Sequence, residues 1–376
     1  MVLLDPFQNI VNVNWTGKRL VAGATDGYAA GVALYSADGT HWKPISGFPG
    51  GCMGMASTNG LWVGLSQSNN NINKLVSSDF STWTGGGSLK ADAWSDVNIC
   101  AGKTDSMDQG IFLVGESGTS ASVLSSVDGK SWNSVLTATH AQWNVWFAAK
   151  KFFAFRNYKM ASSDDQPQKV TVYVSDDGQA WTNVGTIFQV DASVDQPQSP
   201  EVFGLAAGNN VIVAIGTTYT SDNEAFFASA TSSDGMSWSG EQRITQVDSF
   251  GGGTALPSRF NHSGLAFGNK KFQAAFAFGL AADIPYNAIA FTSEMGSGWS
   301  QNSTVSSNSR FVASPIAFLP ASKGTDGLFC AGIALEASAS PTGTASLNTS
   351  KNGGWGEVYR ATGSAWPSFI GTVDRA

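Results

Sequence analysis

One short motif returns along the whole chain and constrains the fold more than any other feature. Ser36-Ala37-Asp38-Gly39-Thr40-His41-Trp42 is matched by Ser126-Val127-Asp128-Gly129-Lys130-Ser131-Trp132, by Ser175–Trp181 and by Ser232–Trp238. A fifth copy, Ser77–Trp83, keeps the Asp and the Trp but has Phe80 in place of Gly. Two eroded copies end in Trp299 and Trp355. The seven tryptophans stand 41 to 61 residues apart, at positions 42, 83, 132, 181, 238, 299 and 355. That interval is the length of one four-stranded blade with loops of varying size. The Asp-Gly pair supplies the positive-φ residue of a tight hairpin turn, and its carboxylate accepts turn amide protons. The box therefore reads as turn chemistry, with the Trp covering the outer part of each blade.

A second element precedes each box: an apolar residue, a small one, a turn, then an apolar run. The pairs read as Val13-Asn14, Met55-Ala56, Ile99-Cys100, Phe147-Ala148, Leu205-Ala206, Leu265-Ala266 and Ile316-Ala317. Small residues at one register suit crowded inner strands. Runs such as Leu20-Val21-Ala22-Gly23 and Phe112-Leu113-Val114-Gly115 suit strands buried on both faces. Each unit then reads as inner strand, turn, second strand, variable loop, third strand, box turn and outer strand. The expected fold is all-β: a seven-bladed β-propeller of four-stranded antiparallel blades, filling residues 1–376 as one domain. The blades fall near 8–48, 50–90, 94–138, 142–187, 200–243, 260–303 and 311–360. The segments Val2–Phe7 and Trp366–Val373 are assigned to closing the ring, on the first or the last blade.

Composition agrees: 43 Gly, 13 Trp and only 13% charged residues suit many short strands with tight turns. A net charge of −7 and no Lys/Arg-rich run argue against a nucleic-acid partner. No apolar stretch reaches the roughly 18 residues of a membrane span, so no membrane insertion is expected. The N-terminus lacks a basic region followed by an apolar core, which reads as synthesis in a cytoplasm without a classical signal peptide. Cys52, Cys100 and Cys330 fit neither a disulfide framework nor zinc spacing and read as buried strand residues. No cofactor and no metal are expected.

The box resembles the Asp-box of sialidase-type and related BNR-repeat propellers, whose usual form is Ser-x-Asp-x-Gly-x-Thr-Trp. Here Gly follows Asp directly and the box is one residue shorter. The resemblance implies a propeller with its boxes between third and fourth strands, opposite the substrate face. Sialidase chemistry needs an arginine cluster, a Tyr–Glu pair and an Asp acid, and the Arg-Ile-Pro signature is missing; the first repeat has only Arg19. The repeats are also similar in style to those of phage structural proteins, which implies assembly in a host cytoplasm.

If the boxes mark one face, binding belongs to the other. Its candidates by register are Trp94, Asp96, Trp143, Asn144, Glu201, Arg259, His262 and Arg310 before the inner strands, with Arg156 and Tyr158 on the blade-four loop. Aromatic faces beside amides and carboxylates suit a sugar, while packing between blades is the alternative for Trp94 and Trp143. Glycoside hydrolysis needs two carboxylates roughly 5 to 9 Å apart, and by register Asp96 with Glu201 is the most plausible such pair. No catalytic residue is assigned. The expectation is a non-enzymatic docking propeller, a phage virion protein of tail or capsid surface, made in the host cytoplasm and acting in host attachment or assembly. Its partners would be other virion proteins, a host surface glycan, and further copies of itself in a homo-oligomer. A glycoside hydrolase acting on surface polysaccharide, or a cellular glycan-binding lectin, is the alternative.

Overall fold

A computed structural model describes residues 9–362 apart from 26–30, 69–70, 90–96, 159–168, 191–198, 221–223, 248–263, 279–286, 307–309, 313–315, 322–326, 337–343 and 351–354. The described elements are all β-strands, arranged as a β-propeller of four-stranded antiparallel blades. Blade 1 runs Asn9–Trp15, Leu20–Thr25, Gly31–Ser36 and Lys43–Pro44, and blade 2 runs Gly51–Thr58, Leu61–Ser68, Asn71–Ser77 and Thr84–Ser88. Blades 3 and 4 share the long strand Asn133–Ala148, which is the outer strand of one and the inner strand of the next. Blade 3 begins with Asn98–Gly102, Ile111–Gly115 and Ser117–Ser126; blade 4 continues with Lys151–Tyr158, Lys169–Ser175 and Thr182–Gln189. His140, at a φ of 48°, marks the bend between the two halves of the shared strand. Blade 5 (Glu201–Gly208, Val211–Tyr219, Ala225–Ser232, Gln242–Val247) and blade 6 (Leu265–Gly268, Lys271–Phe278, Asn287–Ser293, Ser300–Ser306) are regular. In blade 7 the first position is divided between Arg310–Val312 and Ile316–Leu319, both paired with Leu328–Glu336; Thr344–Ser350 and Trp355–Thr362 follow.

The boxes are the turns between third and outer strands, and their hydrogen bonds explain the conserved letters of the repeat. In blade 1, Ser36 Oγ donates to Asp38 Oδ1 (3.0 Å) and accepts from Gly39 N–H (2.9 Å). The same Asp38 oxygen accepts from the Thr40 and His41 amides, and Trp42 Nε1 donates to the Gly39 carbonyl. The circuit repeats at Ser126–Trp132 and Ser232–Trp238. Each box also leans on the preceding blade. A Cβ on Gly129 would stand 2.6 Å from Val63, and one on Gly296 would stand 2.2 Å from Val213. In blade 2, Phe80 takes the left-handed φ (62°) and fills that space with its ring, against Val21 and Ala33 of blade 1 and beneath the Arg19 guanidinium. Blade 6 departs further. Register with Phe272 places Met295 where five of the other boxes have Asp, and it is 53% exposed.

The ring closes by the same contact. Trp42, Val13, Leu20 and Leu34 of blade 1 form one core with Ala317, Leu319 and Cys330 of blade 7. Among the described strands, none is exchanged between first and last blade. The two terminal segments assigned to closure lie outside the described residues.

The five box aspartates with this geometry are all held below the usual carboxylate range. For Asp128 the Ser131 and Lys130 amides bring the value to about 2; for Asp79 and Asp234 the turn amides again dominate. At Asp38 and Asp177 partial burial pushes the other way, but the amide donors outweigh it. A carboxyl depressed on folding stabilises the fold above its unfolded value, about 3.9, and that contribution is lost as pH falls through the folded value. The melting temperature should therefore be flat down to about pH 4 and fall between about 4 and about 2. Asp128→Asn, which keeps the oxygen acceptor, should flatten part of that limb. An acid limb centred above pH 5 would point to other groups.

Candidate functional site: the central channel

Pairing each inner strand to its second strand and box serine aligns the seven blades residue by residue. Trp15, Ser57, Ala101, Phe147, Ala207, Phe267 and Phe318 face Leu20, Trp62, Phe112, Phe152, Ile212, Phe272 and Phe329. Those in turn face the box serines Ser36, Ser77, Ser126, Ser175, Ser232, Ser293 and Ser350. The pair at that register in blade 4 is therefore Val145-Trp146, two residues earlier than the apolar-small pair Phe147-Ala148 expected from the sequence. The small-residue position is Asn14, Ala56, Cys100, Trp146, Ala206, Ala266 and Ala317. Trp146 is its one bulky occupant.

The next position interlocks neighbouring blades by size. Gly102, Gly208 and Gly268 lie under Phe147, Phe267 and Phe318 of the following blade, where a Cβ would stand 2.2 Å from each ring. Where the first partner is Thr16, Thr58 or Ala148, the register partner in the next blade is Ser57, Ala101 or Ala207. At the closing seam the pair is Leu319 with Trp15, which packs on the blade 1–blade 7 core.

An inner strand has one edge with no strand beside it, and bare edges must be covered. Asparagines do this from the preceding blade. Asn98 donates to the Val145 carbonyl (2.8 Å) and accepts from its N–H (2.9 Å), as a strand would. Asn157 treats Val202 in the same way, Asn144 Nδ2 adds a bond to the Val202 carbonyl (2.7 Å), and Asn14 reaches the Met55 carbonyl.

Between these strands lies a cavity of about 390 Å³, lined by the inner strands of blades 1 to 4. Trp15, Trp146 and Phe147 give it partly exposed aromatic walls; Asn14, Ser57 and Asn98 add polar groups. Ser57 Oγ donates to the Thr16 carbonyl (2.7 Å). Thr16 and Gly17, in the turn after the first inner strand, also line it, so the cavity reaches toward the box face of the ring. The loop face expected from the sequence to bind is the opposite one.

The sequence candidates scatter. Trp143 is 1% exposed, with Nε1 donating to the Ala121 carbonyl and its ring edge-on to Tyr173, so it packs in the core between blades. Asn144 is buried as an edge cap, with Oδ1 unpartnered. Glu201 accepts from Gln142 Nε2 (3.2 Å), and it adds to the effect of burial in raising the Tyr219 hydroxyl above its ordinary range. These four polar residues, Gln142, Asn144, Asn157 and Glu201, meet at the blade 4–blade 5 junction. Arg156 points to the other face of blade 4 and donates to the Thr139 carbonyl (3.1 Å). Tyr158 and Arg310 lie on strands, opposite Ala141 and Glu336. Trp94, Asp96, Arg259 and His262 lie outside the described residues. Cys52 and Cys330 are fully buried, and burial pushes the Cys52 thiol up to about 12. Among the described residues no three His, Cys, Asp or Glu side chains gather as metal ligands.

No protein-family model matches the chain, and no curated protein matches it. Solved structures do. The β-propeller domain of the Trilobed protease from Pyrococcus furiosus, described as having an open velcro topology, aligns over 94% of this chain and 98% of its own with a TM-score of 0.50 at 7% identity. The Aleuria aurantia lectin, solved with Fucα1-6GlcNAc, aligns over 80% and 97% with a TM-score of 0.45 at 14% identity. The α-L-arabinofuranosidase Arb93A of Fusarium graminearum, solved with an iminosugar inhibitor, aligns over 92% and 98% with a TM-score of 0.44 at 12% identity. At 7% identity and a TM-score of 0.50, the likeness to the first of these bears on the propeller fold alone.

Proposed function

We propose that this propeller is a glycan-binding module that holds its ligand without cleaving it. The observation that carries the reading is the channel cavity. Its volume suits a small ligand, and its walls combine aromatic side chains with a few polar groups, the usual make-up of a binding site. A sugar offers apolar C–H faces to such rings and hydroxyls to the polar groups between them. Among the described residues the cavity lining contains no Asp or Glu, whereas glycoside hydrolysis uses a carboxylate pair. Glu201, the described member of the pair expected from sequence, is engaged by Gln142.

The pure protein would be incubated on a panel of bacterial surface polysaccharides and common glycans, scoring retained protein and released sugar together. Retention without release is the expected result. Release of sugar would replace this reading with the glycosidase one. The absence of both retention and release would overturn it in favour of a second reading, docking within an assembly such as a phage virion.

A further inference from the structure

We infer that Trp146 is the residue that stacks on the bound sugar and sets the ligand's place in the channel, an assignment that rests on the glycan-binding reading. Comparison among the seven blades singles it out. At this register five blades carry Ala or Cys and one carries Asn, so the fold itself accepts a small side chain here. Only blade 4 places an indole at the position. Its ring stands edge-on to Phe155, 5.3 Å between centroids, and packs beside the blade 4–blade 5 core. It is nonetheless only partly covered, and it lines the cavity together with Phe147 and Trp15. Packing accounts for part of the indole, but nothing in the repeat requires a large side chain.

The ligand class follows from the surroundings. The cavity holds about 390 Å³, room for one or two sugar rings. An indole offers a broad apolar face, suited to the C–H face of a pyranose. Among the described residues no charged side chain lines the cavity, so a neutral sugar fits better than an acidic one.

The test uses the glycan retained best by the wild-type protein, with affinity measured by titration calorimetry for the wild type, Trp146→Ala and Trp146→Phe. Trp146→Ala should fold, as shown by an unchanged strand signal and a cooperative melt, and should lose affinity by 10-fold or more. Trp146→Phe should recover part of that loss. The neutral glycan should also outcompete its acidic counterpart. A folded Trp146→Ala protein that binds as tightly as wild type would overturn the assignment and leave the glycan-binding reading standing. Failure of the wild type to bind any glycan would overturn both. If Trp146→Ala does not fold, Trp146→Phe and Trp146→Leu decide: equal affinity in both would refute stacking, while loss confined to Leu would support it.

Discussion

Replacing Gly23 by alanine should cost roughly 4 kcal/mol or more, a large share of the 5–15 kcal/mol that holds a typical domain together. Gly23 sits in the second strand of blade 1, and a Cβ there would stand 1.6 Å from the carbonyl oxygen of Cys52 in the inner strand of blade 2. Two backbones meet at that point, so no rotamer change relieves the overlap; the blades must separate. Gly115 is the equivalent contact between blades 3 and 4, with the Trp143 carbonyl at 2.0 Å. Gly208 offers an internal contrast, because its obstacle is the Phe267 side chain, which can be trimmed. Gly208→Ala and Phe267→Ala should therefore couple in a double-mutant cycle, with the pair less destabilised than the sum by roughly 1–3 kcal/mol. Gly23→Ala has no such rescuer. Denaturant unfolding measures both, and a Gly23→Ala protein within about 1 kcal/mol of wild type would contradict the close approach of blades 1 and 2.

The second large effect belongs to Asn98. Its side chain supplies one donor and one acceptor to the Val145 backbone, and it is only 6% exposed. Asn98→Leu would leave a buried N–H and a buried C=O unpaired, at about 1–3 kcal/mol each. Asn98→Asp is isosteric, yet once ionised it sets a carboxylate against the Val145 carbonyl in a buried place, so it should be worse near neutral pH. The sign of its pH dependence is diagnostic. Burial raises the folded value of the new carboxyl above the unfolded value of about 3.9, so its neutral form is favoured by folding. The penalty relative to wild type should thus be smaller at pH 5 than at pH 8. A penalty independent of pH would mean that the side chain faces solvent.

Much of the architecture was legible because the box is local. Ser, Asp, Gly and Trp make their bonds within seven residues, so the letters recur wherever the turn recurs, and their spacing gives the blade. Inner-strand register is set by partners far along the chain, and there the sequence was ambiguous. In Val145-Trp146-Phe147-Ala148 only Phe147-Ala148 fits an apolar-small pair, but pairing of Phe147 with Phe152 and of Phe152 with Ser175 puts Val145-Trp146 at that register. That shift hid Trp146, which stands out once the seven copies are aligned in the right frame. The capping asparagines were illegible for a related reason. Asn is a poor strand former by composition, and its use here depends on a neighbouring blade's free edge. Trp143 and Asn144 precede an inner strand as loop residues would, yet the shared strand Asn133–Ala148 carries them straight into the core.

The most direct test of a channel ligand site is to locate the ligand. Crystals of the protein soaked with its best-retained neutral glycan should show an intact sugar in the cavity between Trp15 and Trp146, with its C–H face on the indole. An intact sugar bound instead at the opposite end of the ring, near Glu201 and Arg310, would contradict the channel assignment, and a shortened product in the channel would contradict binding without cleavage.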